Sequence, residues 1–168
     1  MIGLVGDFGG TNVRFALTQV DQVMPSRQRS YQNAMFASPQ EAIHRYLTDT
    51  GVARVSTVCF GAAGPVQGGQ VQLTNSEWGM SSADVQLATG AERVILLNDL
   101  QAQGYALHGL DMADVVPVLA GADSSAKAAR LIVAVGTGVN AAVAFHRAGR
   151  IFVPPSESGH MALSVHDA

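Results

Sequence analysis

Thiol chemistry is nearly missing from this chain: Cys59 is the single cysteine among 168 residues. That excludes an intramolecular disulfide and any zinc site built on several thiolates. Cys59 stands in the apolar run Val58-Cys59-Phe60, where a thiol behaves as a small hydrophobe. Charge is also scarce. Charged residues make up 14% against 48% hydrophobic, which excludes intrinsic disorder, because disordered chains are poor in apolar residues and rich in charge. The 10 basic and 13 acidic residues leave a net charge of −3 without any Lys/Arg cluster, so the electrostatic footprint of a nucleic-acid partner is missing. No apolar stretch approaches the roughly 20 residues that span a bilayer. Met1 to Val5 is too short for a signal peptide and lacks its basic flank. The expectation is a soluble cytoplasmic protein of one domain or two small ones, with no membrane and no nucleic-acid partner.

What the chain does have is glycine, 18 residues of it, punctuating apolar runs. Ile2 to Val5 reads as a short buried strand broken by Gly6-Asp7-Phe8-Gly9-Gly10, and Val13 to Leu17 resumes as a strand, forming a hairpin. Gln28 to Asn33 supplies a third strand. Ser38-Pro39 reads as an N-cap followed by proline at the first helical position, with a helix running to Thr50 and stopped by Gly51. Arg54 to Gly61 is expected to be a strand, Val66 to Leu73 a hairpin, and Ser81 or Ser82 the start of a helix ending near Gly90. Arg93 to Leu97 reads as a strand buried on both faces, and Asn98 as the start of a helix to Leu107. The pattern weakens from Gly109 to Asp123, which places a domain boundary between residues 1–110 and 111–168. Leu131 to Val135, a glycine turn and Ala141 to Phe145 then repeat the opening theme, before a hairpin turn at Arg147-Ala148-Gly149-Arg150.

Four polar clusters carry chemistry. In Gly6-Asp7-Phe8-Gly9-Gly10-Thr11 the glycines let backbone N–H groups approach an anion, and Thr11 adds a hydroxyl. Asp7 suits a hydrated Mg²⁺, which takes one or two carboxylates plus water and phosphate; a tight hairpin turn capped by Asp is the plainer alternative. No lysine follows as a Walker A loop requires, and Gly136-Thr137-Gly138 lacks the third glycine of a dinucleotide fingerprint. Asp99, in Leu96-Leu97-Asn98-Asp99, sits at the end of a buried strand and can accept a proton as a general base. It can equally serve the helix dipole, with Asn98 and Gln101 resembling a capping box. Asn75 lies in a polar turn ending at Trp78, an apolar platform or a core anchor. Glu157 and His160, in Ser156-Glu157-Ser158-Gly159-His160, can reach one ligand or lie in a solvated loop.

These segments together, Leu4 to Leu17 (LVGDFGGTNVRFAL), Leu73 to Trp78 (LTNSEW), Leu96 to Leu100 (LLNDL), Val135 to Gly138 (VGTG) and Ser156 to His160 (SESGH), resemble the bacterial glucokinases of the hexokinase and actin-like ATPase superfamily. The resemblance implies an α/β fold: a ribonuclease H-like domain with a mixed sheet, plus the start of a second similar domain. It implies ATP-dependent phosphorylation of glucose to glucose 6-phosphate, with ATP and Mg²⁺ as cofactors and Asp99 as the base. Gly6, Asp7, Phe8, Gly9, Gly10 and Thr11 correspond to the first phosphate motif, with Asp7 near Mg²⁺, and Gly136, Thr137 and Gly138 to the second. Asn98, Glu157 and His160 match glucose-binding residues, and Asn75 lies beside them. Ala134 and Asn140 replace glycines usual in the second motif. Family members are nearly twice as long, so a truncated product, or a partner that supplies the remainder, is expected, along with self-association or poor stability from an uncovered apolar face. Two other readings are a non-catalytic sugar-binding or interaction module and a kinase for another hexose such as fructose or mannose.

Overall fold

A computed structural model describes residues 1–19, 25–74, 76–110, 112–119, 121, 125, 127–135 and 139–156. In chain order the elements are β1 (Ile2–Phe8), β2 (Asn12–Gln19), β3 (Ser26–Gln32), α1 (Pro39–Thr50), β4 (Thr57–Ala62), β5 (Val66–Gln67), β6 (Gln70–Gln72) and β7 (Gly79–Ser81). They continue with α2 (Ser82–Thr89), β8 (Arg93–Asn98), α3 (Asp99–Ala106), β9 (Arg130–Val135), β10 (Val139–Arg147) and β11 (Arg150–Phe152). The chain divides into two compact units, residues 1–99 and 100–168.

The first unit is built on a mixed sheet of order β3-β2-β1-β4-β8. β1, β2 and β3 pair antiparallel, while β1, β4 and β8 run parallel. Alternate residues of these strands face one core. Phe8, Phe15, Phe60 and Tyr46 are fully or almost fully buried there, with Phe8 edge-on to Phe15 at 5.4 Å and Phe60 5.0 Å from Phe8. Such pairs add roughly 0.5–1.5 kcal/mol each beyond their burial. Trp78 belongs to the same core, 9% exposed, so it is an anchor rather than an open platform.

Local signals work where chemistry is local. Ser38 Oγ caps α1 by accepting from the Glu41 N–H at 3.3 Å, and Glu41 Oε2 accepts from the Ala37 N–H, just before the cap, at 2.9 Å. Ala42, Ile43, Tyr46 and Leu47 form its buried stripe, and Gly51 closes it with φ 66°. The β5–β6 hairpin turns on Gly68 and Gly69, both at positive φ. α2 starts with a capping box between Ser81 and Asp84.

Three boundaries differ from the sequence reading. β1 does not end at Val5 but runs through Gly6-Asp7 to Phe8, because Phe8 packs into the aromatic core and draws the strand with it. The fourth strand starts at Thr57 rather than Arg54, since the Val55 N–H is taken by the Thr89 carbonyl and Ser56 donates to Ile2. Asn98 closes β8, in register with Ala62, and the helix begins at Asp99.

The second unit holds an antiparallel sheet of order β11-β10-β9. Leu100 packs with Ala142, Ala144 and Val153, and Gln101 Nε2 donates to the Val153 carbonyl at 2.7 Å. The compact units divide after Asp99, the first residue of α3. On the other face Leu131, Val133, Val135, Val139, Phe145 and Phe152 are exposed. Among the described residues no helix is long and apolar enough to cross a membrane.

Two outcomes test the first unit. Tyr31 donates its hydroxyl to Asp49 Oδ2 at 2.8 Å, tying β3 to α1. Burial, reinforced by Asp49, pushes the Tyr31 hydroxyl from its ordinary 10.0 up to about 12. From pH 10 to 12 the unfolded chain has released a proton that the folded chain keeps, so this stability is complete below pH 10 and is lost as pH rises toward 12. Tyr31→Phe should cost about 1 kcal/mol at neutral pH and make the alkaline limb of a melting-temperature profile shallower; an unchanged limb would deny the link. A Cβ on Gly6 would meet Phe60 at 2.9 Å and Phe15 at 3.0 Å. Gly6→Ala is therefore expected to lose about 1–3 kcal/mol in denaturant unfolding.

Candidate active site

Parallel pairing brings three strand ends to one edge. Phe8 of β1 is in register with Ala62 of β4, and Ala62 with Asn98 of β8. Open α/β sheets bind ligands outside such carboxyl ends. Neighbouring strands lie about 4.8 Å apart, so the exits of β1 and β8 are separated by about 10 Å.

At the β1 exit the chain turns through Gly9-Gly10-Thr11. The Gly9 N–H donates to the Asn12 carbonyl at 3.0 Å and closes the turn, leaving Gly10 and Thr11 exposed. Asn33, directly after β3, grips the turn from behind: its Nδ2 donates to the Gly9 carbonyl and its N–H to the Thr11 carbonyl, both at 2.9 Å. Gly6 and Phe8 lie within β1, and the Phe8 side chain is wholly buried, so only its backbone borders the turn.

Asp7 alternates with these residues and points to the opposite sheet face, directly across from Arg14. Arg14 Nη1 donates to Asp7 Oδ2 at 2.9 Å, and the carboxylate is half exposed. Among the described residues no group of three or more His, Cys, Asp or Glu is placed to hold a metal. Asp7 offers hard oxygen donors open to water, which fits a Mg²⁺ that keeps most of its ligands as water and phosphate.

At the β8 exit, Asn98 is buried and its Nδ2 donates to the Gly64 carbonyl at 3.1 Å. Asp99, half-buried, opens α3, where the dipole favours a carboxylate. Between the two outer exits lies the turn after β4. Ala63 donates to the Phe8 carbonyl at 2.9 Å and Thr74 to the Ala63 carbonyl at 2.8 Å, so the β1 exit, the β4 exit and Thr74 are stitched together. A Cβ on Gly64 would overlap the Gln72 carbonyl, which leaves glycine as the residue that fits there. Gly10 in turn faces the Thr74 carbonyl.

The structure thus brings together Gly9, Gly10, Thr11, Asn98 and Asp99 at one edge, with Asp7 on the adjoining sheet face. Asn75, Gly136, Thr137, Gly138, Glu157 and His160 lie outside the described residues. Sequence reasoning missed Asn33 and the packing role of Gly64. Gly64-Pro65 signals only a turn. Nothing near Asn33 signals its task, because its partner Gly9 is 24 residues away.

The chain is 33% identical to a glucokinase of Caulobacter sp. (strain K31) over 99% of its own length and 51% of that protein. It is 35% identical to a glucokinase of Pseudomonas aeruginosa (strain LESB58), over 98% of itself and 50% of the relative. A crystal structure of a glucokinase from an Antarctic psychrotroph matches with a TM-score of 0.86 and 31% identity, covering 99% of this chain and 53% of that one. The chain therefore spans about half the length of the curated relatives it matches. Its mixed sheet has the actin-like ATPase fold expected from the resemblance. The glucokinase family model matches residues 4–168, and with that match the chain belongs to the glucokinase family.

Proposed function

We propose that this chain carries the reacting end of an ATP-dependent hexose kinase that converts glucose to glucose 6-phosphate. The observation that carries the reading is the placement of Asp99 at the exit of β8, two strand spacings from the glycine turn at the exit of β1. Asp99 accepts the proton of the sugar 6-hydroxyl as that oxygen attacks the γ-phosphorus of ATP. The bond from the γ-phosphorus to the bridging oxygen breaks, and ADP leaves with the electron pair. With Gly9 closing the turn, the backbone N–H groups of Gly10 and Thr11 offer fixed donors to phosphate oxygens, costing no reorganisation as charge moves. A bound Mg²⁺ would neutralise phosphate charge, and Asp7 is the carboxylate that would hold it, through water. Asn98 and Asn75 orient sugar hydroxyls, joined by Glu157 and His160, and Gly136, Thr137 and Gly138 act as the second phosphate loop. In this reading residues 1–110 are the small domain and 111–168 the opening of the large one. The exposed apolar face of β9 and β10 is then a surface for a second copy or for the remainder of a glucokinase-length chain.

A coupled assay of ADP release with glucose tests the reading. Asp99→Ala should lower turnover at least about 100-fold, the usual scale of general-base catalysis, while glucose binding persists. Equal ATP hydrolysis without sugar would defeat it. A second reading is a sugar-binding module that does not turn over. Calorimetry separates the two, since glucose binding without any binding of Mg-ATP selects the module.

A further inference from the structure

Asn33 does more than the fold requires of it. It is 9% exposed, at the junction between β3 and the short 3-10 turn Asn33–Met35. Its two donors, Nδ2 and the backbone N–H, go to the carbonyls of Gly9 and Thr11. A trans peptide group is planar, with its C=O and N–H pointing in opposite directions. Tying the Gly9 carbonyl to Asn33 therefore turns the Gly10 N–H away from Asn33, on a residue that is itself exposed. The turn gains a fixed donor at the residue where glycine allows closest approach.

The rest of the side chain points the same way. Asn33 Oδ1 is buried and has no hydrogen-bond partner among the described residues. An unpaired buried acceptor carries a desolvation cost. Stability alone does not favour a half-satisfied amide at this position; holding the turn's carbonyls does. We infer that Asn33 is a positioning residue of the anion-binding turn, acting through Gly9-Gly10-Thr11 to pre-orient the Gly10 N–H toward a polyphosphate oxygen. This rests on the reading of that turn as a phosphate loop.

The test uses the full chain and magnesium tripolyphosphate, with binding followed through the amide shifts of Gly10 and Thr11. Each variant is measured well below its own unfolding transition. Asn33→Ala should weaken binding about three- to tenfold, the scale of one hydrogen bond, and lower the ¹⁵N order parameter of Gly10 in the ligand-free protein. Asn33→Asp, equal in shape but presenting a carboxylate to the Gly9 carbonyl, should weaken it further. Asn33→Ser, whose hydroxyl can still donate, should fall between the parent and the Asp variant, and this pair carries the test if the Ala variant does not fold. Binding by the parent with unchanged affinity and unchanged Gly10 order in the variants would overturn the role of Asn33 alone. Failure of the parent to bind tripolyphosphate would overturn the phosphate reading of the turn, and this inference with it.

Discussion

The parallel pairing of β1 with β4, and of β4 with β8, is the constraint on which the described site depends. It sets Phe8, Ala62 and Asn98 level with one another, so that three chain exits far apart in sequence open at one edge. A slip of one residue in either pairing would invert every side chain of that strand between the two sheet faces. Phe60 would then leave the aromatic core, and the exits would no longer be level. Register and site geometry are the same fact.

The aromatic core is what holds that register. Phe8, Phe15, Phe60 and Tyr46 fill the space between the sheet and α1, and Gly6 is small because two of those rings occupy the place of its side chain. The glycines of the opening motif thus divide their work. Gly6 serves packing, while Gly9 and Gly10 form the turn. Asp7 lies between them on the other face, where the cross-strand Arg14 balances its charge without taking it out of water. Cys59 lies one strand away, and burial pushes its thiol pKa up, as befits a small hydrophobe rather than a nucleophile.

The second unit shows the contrast. One face of its sheet packs against α3 through Leu100, Ala142, Ala144 and Val153. The other presents valines, a leucine and two phenylalanines to solvent. Under the proposed reading this apolar face is an interaction surface.

The sequence by itself determined the elements whose signals are local. Ser38-Pro39 and Gly51 bound α1, Gly68-Gly69 makes a hairpin, and the spacing of Ala42, Ile43, Tyr46 and Leu47 gives a buried stripe, because caps, turns and periodicity act within a few residues. The motifs also sufficed to identify the family, since residue types in order survive without coordinates. Only the tertiary structure decided that β1 runs to Phe8, that Asn98 ends a strand and reaches Gly64, that Trp78 is core, and that Asn33 holds the glycine turn. Each of those depends on a partner distant along the chain. Hydrogen bonds and ring contacts form between surfaces, and which surfaces meet is settled by the pairing of strands rather than by any neighbour in sequence.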